Sequence, residues 1–263
     1  MKRKVLSLLG VVAIVAAVLS GCGSSGSSGD SGSGSGSGSQ KTLTVLAASS
    51  LTETFDRLAK RFESEHKGVK VKLVYDSSAT LAQMAEQGAP GDVLATADKM
   101  TMDDALAKKG TSTTPMEFAT NVVTLAVPSA NPQHIASFAD LQRNGVDYVV
   151  CVKTAPCGAA SAALLASNKI THKPVSEEVD VKSVLTKVES DEADAGMVYR
   201  TDVTAAGAKV KGVKVPGAAA NPNTYWVAVT SNAEAASLAK DWIKLIMSSA
   251  GQQVLADAGF GKP

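Results

Sequence analysis

A chain of 263 residues, 44% of them apolar, carries enough hydrophobic material for one large core or two modest ones. Its 26 basic and 25 acidic side chains give a formal charge of +1, and Lys2, Arg3 and Lys4 all fall in a removable leader, so the chain beyond residue 21 holds 23 basic against 25 acidic groups. That slightly acidic balance argues against a nucleic-acid partner, which requires a basic face.

Lys2-Arg3-Lys4 followed by the apolar run from Val5 to Leu19 predicts a signal peptide over residues 1–21, shorter than a comfortable membrane span. The run ends in Leu19-Ser20-Gly21-Cys22, which resembles a bacterial lipobox and predicts cleavage before Cys22 and diacylation of that cysteine. Two acyl chains give stable anchoring to the outer face of the cell membrane. The alternative is a secreted protein whose Cys22 is incidental. Residues 22–40 are almost entirely Gly and Ser and predict a flexible tether. Gly21-x-Gly23-x-x-Gly26 inside it matches a dinucleotide fingerprint by chance, because no strand precedes it and no helix follows.

Thr42 to Ala47 predicts a buried strand, and Leu51, Phe55, Leu58, Ala59 and Phe62 recur at helical spacing through Glu65. Between them Ser50 and Glu53 are spaced as a capping box. The orphan N–H groups and the dipole of a helix opening there suit an anion, with the Ser50 hydroxyl as an extra donor. Val69 to Tyr75 predicts a second strand, and after Asp76-Ser77-Ser78 a helix begins at Ala79 with Leu81, Met84 and Ala85 on one face. Gly88-Ala89-Pro90-Gly91 is a turn, Asp92 to Ala97 a strand and Met100 to Lys109 a helix. This alternation predicts an α/β fold with an open, mainly parallel sheet covered on both faces and a ligand beyond the carboxyl ends of the strands, where Ser50 and Ser78 fall.

Asn121 to Val127 predicts a strand crossing into a second lobe, followed by a short helix Phe138–Arg143 and a strand Asp147–Val152. Thr154-Ala155-Pro156-Cys157-Gly158 opens an alanine-rich helix to Asn168, Asp180 caps a helix striped with Val181, Val184, Leu185 and Val188, and Ala195 to Tyr199 is a strand. Thr224 to Thr230 returns to the first lobe, which helices Glu234–Met247 and Ala250–Ala258 complete. The predicted division is therefore residues 41–120 with 222–263 as one lobe and 121–221 as the other. Two crossovers suit a hinged cleft.

Cys151 and Cys157 are spaced for a disulfide in an exported chain, although two free thiols fit the sequence as well. His66, His134 and His172 are isolated, no metal-ligand spacing occurs, and Tyr75, Tyr148, Tyr199 and Tyr225 are too scattered to pair on iron. The absence of Gly-x-Ser-x-Gly and of a histidine near the serine junctions argues against a hydrolase, and without a Walker motif any ATP hydrolysis belongs to a partner. Four strand-to-helix junctions, at Ser50, Ser78, Cys157 and Val181, offer backbone donors; converging, they would surround a fully deprotonated oxyanion. Asp76 and Asp180 are the acceptors that would instead suit a protonated anion such as phosphate.

Thr44-Val45-Leu46-Ala47-Ala48-Ser49-Ser50-Leu51-Thr52, Ser77-Ser78-Ala79-Thr80-Leu81, Gly88-Ala89-Pro90-Gly91-Asp92-Val93, Ala97-Asp98, Asn121-Val122-Val123 and Gly196-Met197-Val198-Tyr199, in this order, resemble the molybdate-binding proteins of bacterial ABC importers from Lys41 to the C-terminus. The resemblance implies a two-lobed, periplasmic-binding-protein-like fold of type II, no catalytic activity and no cofactor. Molybdenum or tungsten would be present only as the oxyanion ligand, molybdate or tungstate. It implies hydroxyl and N–H donors from Ser50 and Ser78, backbone N–H donors from Cys157 and Val181, and the Tyr199 hydroxyl. The departures are Ala79, where a third serine is common, and Cys157 in a turn that is usually Pro-Ala-Gly. Implied partners are an ABC permease and its ATPase, with the receptor a monomer held to the membrane by lipid on Cys22. Sulfate is an alternative ligand, being likewise tetrahedral, doubly charged and unprotonated. A hydrolase or a sensor without a transport role are rivals on the same fold.

Overall fold

A computed structural model describes residues 40–263; the expected leader, the Cys22 lipidation site and all but the last residue of the tether lie outside the described residues. The chain runs β1 (Lys41–Ala48), α1 (Thr52–Glu65), β2 (Val69–Asp76), α2 (Ser78–Glu86), β3 (Val93–Thr96), α3 (Lys99–Ala107) and β4 (Met116–Asn121). It continues through β5 (Val123–Pro128), β6 (Tyr148–Cys151), α4 (Pro156–Ser167), β7 (Ser176–Glu178), α5 (Val181–Glu189), β8 (Ala195–Tyr199), α6 (Arg200–Ala206) and β9 (Val210–Val213). It closes with β10 (Asn223–Val229), α7 (Ala236–Met247) and α8 (Ser249–Asp257).

Two sheets form, ordered β2-β1-β3-β10-β4 and β7-β6-β8-β5-β9. In the first, β1 pairs parallel with β2 and β3, while β10 runs against β3 and β4. The second repeats the arrangement, with β6 parallel to β7 and β8, and β5 against β8 and β9. Each sheet is thus mainly parallel, with one reversed strand: the one that arrives from the other sheet.

The expected strand from Asn121 to Val127 is β5, in the second sheet; β4, which precedes it in the first sheet, was not expected, and the chain breaks between the two at Asn121–Val122. The reason lies at Asn121, whose own side-chain oxygen accepts the Val122 N–H at 3.0 Å and so takes that donor away from a continuous ladder. The expected helix Phe138–Arg143 is a tighter 3-10 turn over Phe138–Gln142, held by a Ser137–Asp140 capping box.

Period-two alternation gives the first sheet two apolar faces. Leu43, Val45 and Ala47 pack with Phe55, Phe62, Phe118, Tyr225 and Trp242 on one side, and Leu46 and Leu94 with Leu81 and Met102 on the other. Trp242 sits edge-on to both Phe55 and Phe62 at 5.5 Å. The second sheet buries its own core, including Leu125, Tyr148, Val149, Val184, Val188, Met197 and Tyr199.

One buried carboxylate binds the two separated stretches of the first sheet's layer. Asp92, 5% exposed, accepts the Thr44 N–H at 2.7 Å with one oxygen and the Ala235 N–H at 2.8 Å with the other. It thereby links β1 to the segment leading into α7. Asp92→Ala leaves two partly buried amides without their acceptor, and chemical denaturation should show a loss of about 1–3 kcal/mol of unfolding free energy.

Candidate functional site

Between the two sheets lies a small cavity lined by Ser49, Ser50, Asp76, Ser77, Ser78 and Ala97 on one side and Pro156, Cys157, Asp180, Val181 and Tyr199 on the other. The five residues singled out from sequence, Ser50, Ser78, Cys157, Val181 and Tyr199, all reach it, and Ser49 and Ser77 join them. The space free for the centre of a water-sized sphere is only about 10 Å³, so the walls are closed together. A roomier hollow of about 490 Å³ beside Phe138, Ile170, Val213 and Pro216 gathers none of the unpartnered buried side-chain polar atoms found among the described residues.

The capping box expected at Ser50 and Glu53 does not form. Ser49–Leu51 is a 3-10 turn running directly into α1, and Leu51 occupies the cap position in helical conformation (φ −92°, ψ −3°), leaving no extended residue to fold a side chain back. The Ser50 hydroxyl lies 2.8 Å from the Tyr225 hydroxyl, and Glu53 reaches Lys182.

The Val122 N–H identifies the Asn121 side-chain oxygen, so the amide nitrogen donates to Thr201 Oγ1 at 2.8 Å and to the Tyr225 hydroxyl at 3.3 Å. The Ser50 and Tyr225 hydroxyls share a bond in which either can donate; with Tyr225 as the donor, Ser50 keeps its proton for the cavity. Ser78 Oγ accepts the Ala97 N–H at 2.9 Å, so its own proton is free.

Tyr199 completes the hydroxyl set. Its side chain is 1% exposed and its oxygen has no partner; burial pushes the phenol well above its usual range, so it is held as a neutral donor. Burial likewise raises Tyr225. The Ser77 hydroxyl, buried on the same wall, is also unpartnered. It is a donor that sequence reasoning passed over, taking Ser78 alone from the Asp76-Ser77-Ser78 junction.

Backbone donors come from helix starts. Ser78, Cys157 and Val181 lie in the first turns of α2, α4 and α5, where amides have no partner within the helix. The Cys157 amide is fixed from two directions. Cys151, the last residue of β6, is bonded to Cys157 with a Cα–Cα distance of 5.8 Å. A Cβ on Gly158 would stand 1.9 Å from the Val152 carbonyl oxygen, so only glycine lets α4 start this close to the strand.

The two carboxylates on the wall are engaged in local caps. Asp180 Oδ1 accepts the Lys182 and Ser183 N–H groups at 2.7 and 3.0 Å, and Asp76 Oδ1 accepts the Ser77 N–H at 2.6 Å. Behind Tyr199, the fully buried Asp202 accepts the Tyr199 N–H at 2.9 Å and lies 3.2 Å from Lys182. Burial pushes its carboxyl up to about 6, against the opposing pull of Lys182. Burial would lower Lys182, but Asp202 and Glu53 outweigh it and hold the ammonium above its usual range.

Enclosed donors between two sheets joined by paired crossovers define a protein that closes around a small solute. Residues 43–261 match the family model of the bacterial extracellular solute-binding proteins, and the chain belongs to that family. It is 38% identical over 224 residues to the molybdate-binding protein ModA of Mycobacterium tuberculosis, covering 85% of each chain. The periplasmic molybdate-binding protein of Azotobacter vinelandii has the same fold, with a TM-score of 0.75 at 21% identity over 84% of this chain and 99% of that one. The sulfate-binding protein SubI of M. tuberculosis shares it at a TM-score of 0.70 and 18% identity, over 84% and 86%.

Two outcomes follow. Tyr199→Phe removes a buried hydroxyl that has no partner, so the anion-free protein should melt at the same temperature as wild type or higher in calorimetry. A carboxyl raised on folding stabilises most below its unfolded value near 4 and loses that contribution as pH rises through about 6. The wild type should therefore gain stability relative to Asp202→Asn as pH falls from about 7 to about 5.

Proposed function

We propose that this protein is a receptor for molybdate or tungstate that captures the oxyanion by hinge closure and passes it to an ABC permease powered by a separate ATPase. The observation that carries the reading is the convergence of the Ser50, Ser78 and Tyr199 hydroxyls on one small enclosed space, with the protons of Ser78 and Tyr199 unused by the protein. First-turn amides at Ser78, Cys157 and Val181 supply further donors. Such a set suits an anion with no proton of its own, and dipoles fixed by the fold need not reorganise when charge arrives. Asp76 and Asp180 line the same cavity with one oxygen each held by local backbone N–H groups and the other uncommitted, so phosphate is the rival that the titration has to separate. The ligand's identity within the tetrahedral dianions rests on the molybdate-binding relative, and selection against sulfate rests on cavity size.

In this reading the protein performs no catalysis, needs no cofactor, acts as a monomer, and is tethered outside the cell by lipid on Cys22. The lobes that move are residues 41–120 with 222–263 and residues 121–221, hinged at the two crossovers.

Calorimetric titration of the mature chain with molybdate, tungstate, sulfate and phosphate tests it. Molybdate and tungstate should bind with sulfate at least ~100-fold weaker, about 2.7 kcal/mol, and Ser50→Ala and Tyr199→Phe should each weaken molybdate by about tenfold or more. Equal affinity for sulfate would move the ligand assignment, and heat from none of the four anions would remove the oxyanion reading altogether.

A further inference from the structure

Glu53 stands on α1, three residues past Ser50, and Lys182 stands on α5, next to Val181. Lys182 Nζ lies 2.8 and 3.0 Å from the two carboxylate oxygens of Glu53, bridging elements of the first sheet's layer to those of the second. Every other ion pair among the described residues joins groups within one of those layers. Lys182 is anchored on its own side by Asp202 at 3.2 Å, and Asp202 in turn holds the Tyr199 N–H. The ammonium therefore has one fixed partner beside the cavity and a second that it meets only across the cleft.

We propose that Glu53 and Lys182 form a latch: an ion pair made only when the cleft is shut, with Asp202 as its fixed seat, that sets how slowly a captured anion leaves. The inference rests on the receptor reading above. Lys182 acts here as a positioning residue, in contact with the opposite wall. A lysine that merely attracted the anion would speed its arrival and leave departure unchanged. A latch does the reverse. Bidentate, charge-assisted contact at a partly buried lysine is strong enough to alter dissociation about tenfold, and it weakens with salt because Glu53 remains partly open to solvent.

The test is stopped-flow dissociation of molybdate from the full-length mature protein, wild type against Glu53→Gln, at about 20 mM and about 500 mM salt. Because Glu53 is on the surface and Lys182 keeps Asp202, the variant folds, which circular dichroism checks. Expected is release about tenfold faster in Glu53→Gln at low salt, an association rate that is unchanged or higher, and a salt acceleration present in the wild type and absent in the variant. Equal release rates with equal salt response overturn the latch. Should the wild type bind none of molybdate, tungstate, sulfate and phosphate, the receptor reading fails and small-angle scattering decides the latch separately. A larger radius of gyration for Glu53→Gln than for wild type at low salt then supports it, and the same radius for both overturns it.

Discussion

The Asn121 amide holds the cleft together. It sits where the chain leaves the first sheet for the second, fully buried, and it spends every polar atom: oxygen to the Val122 N–H, nitrogen to Thr201 on α6 and to Tyr225 on the returning strand. Through Tyr225 it also reaches the Ser50 hydroxyl. The crossing strand, the returning strand and the cavity wall thus share one hydrogen-bonded chain, and a change at any link alters the others.

The cavity gathers buried polar groups, which cost stability unless they are bonded. Tyr199 and Ser77 bury hydroxyls that no other protein group bonds, and Asp202 buries a carboxyl that desolvation drives toward its neutral form. The surrounding structure holds these groups in place: the Cys151–Cys157 bond and the close approach at Gly158 fix one wall, and Asp92 fixes the layer that carries the other. An anion that satisfied the free donors would recover part of what the fold gives up.

Elements with strong periodicity were readable directly. Leu51, Phe55, Leu58 and Phe62 are all buried at helical spacing, and the Asp180 cap forms as its position before Val181 predicts. β7 and β9 were missed because they are short and half-exposed, without an apolar alternation to mark them, and α6 is two turns with few apolar residues. Glu53 shows how local spacing can mislead: Ser-x-x-Glu suits a cap, but Tyr225 and Lys182, distant in sequence, take both side chains. That the five candidate residues meet in one cavity is a property of topology, which the resemblance to a known family carried and periodicity could not. Ser77 differs from Ser78 by one position, and only three-dimensional burial shows that its hydroxyl also lacks a partner.

The cavity's small size has a consequence for timing. The free space inside is no more than about one water molecule's, so a larger solute is taken in or let go only as the two halves separate, and its exchange is an event of the whole molecule, governed by the hinge and by the contacts that span the cleft. Affinity and residence time then become separable quantities. Substitutions far from the wall could lengthen or shorten the hold on the same solute while the donors that recognise it stay as they are.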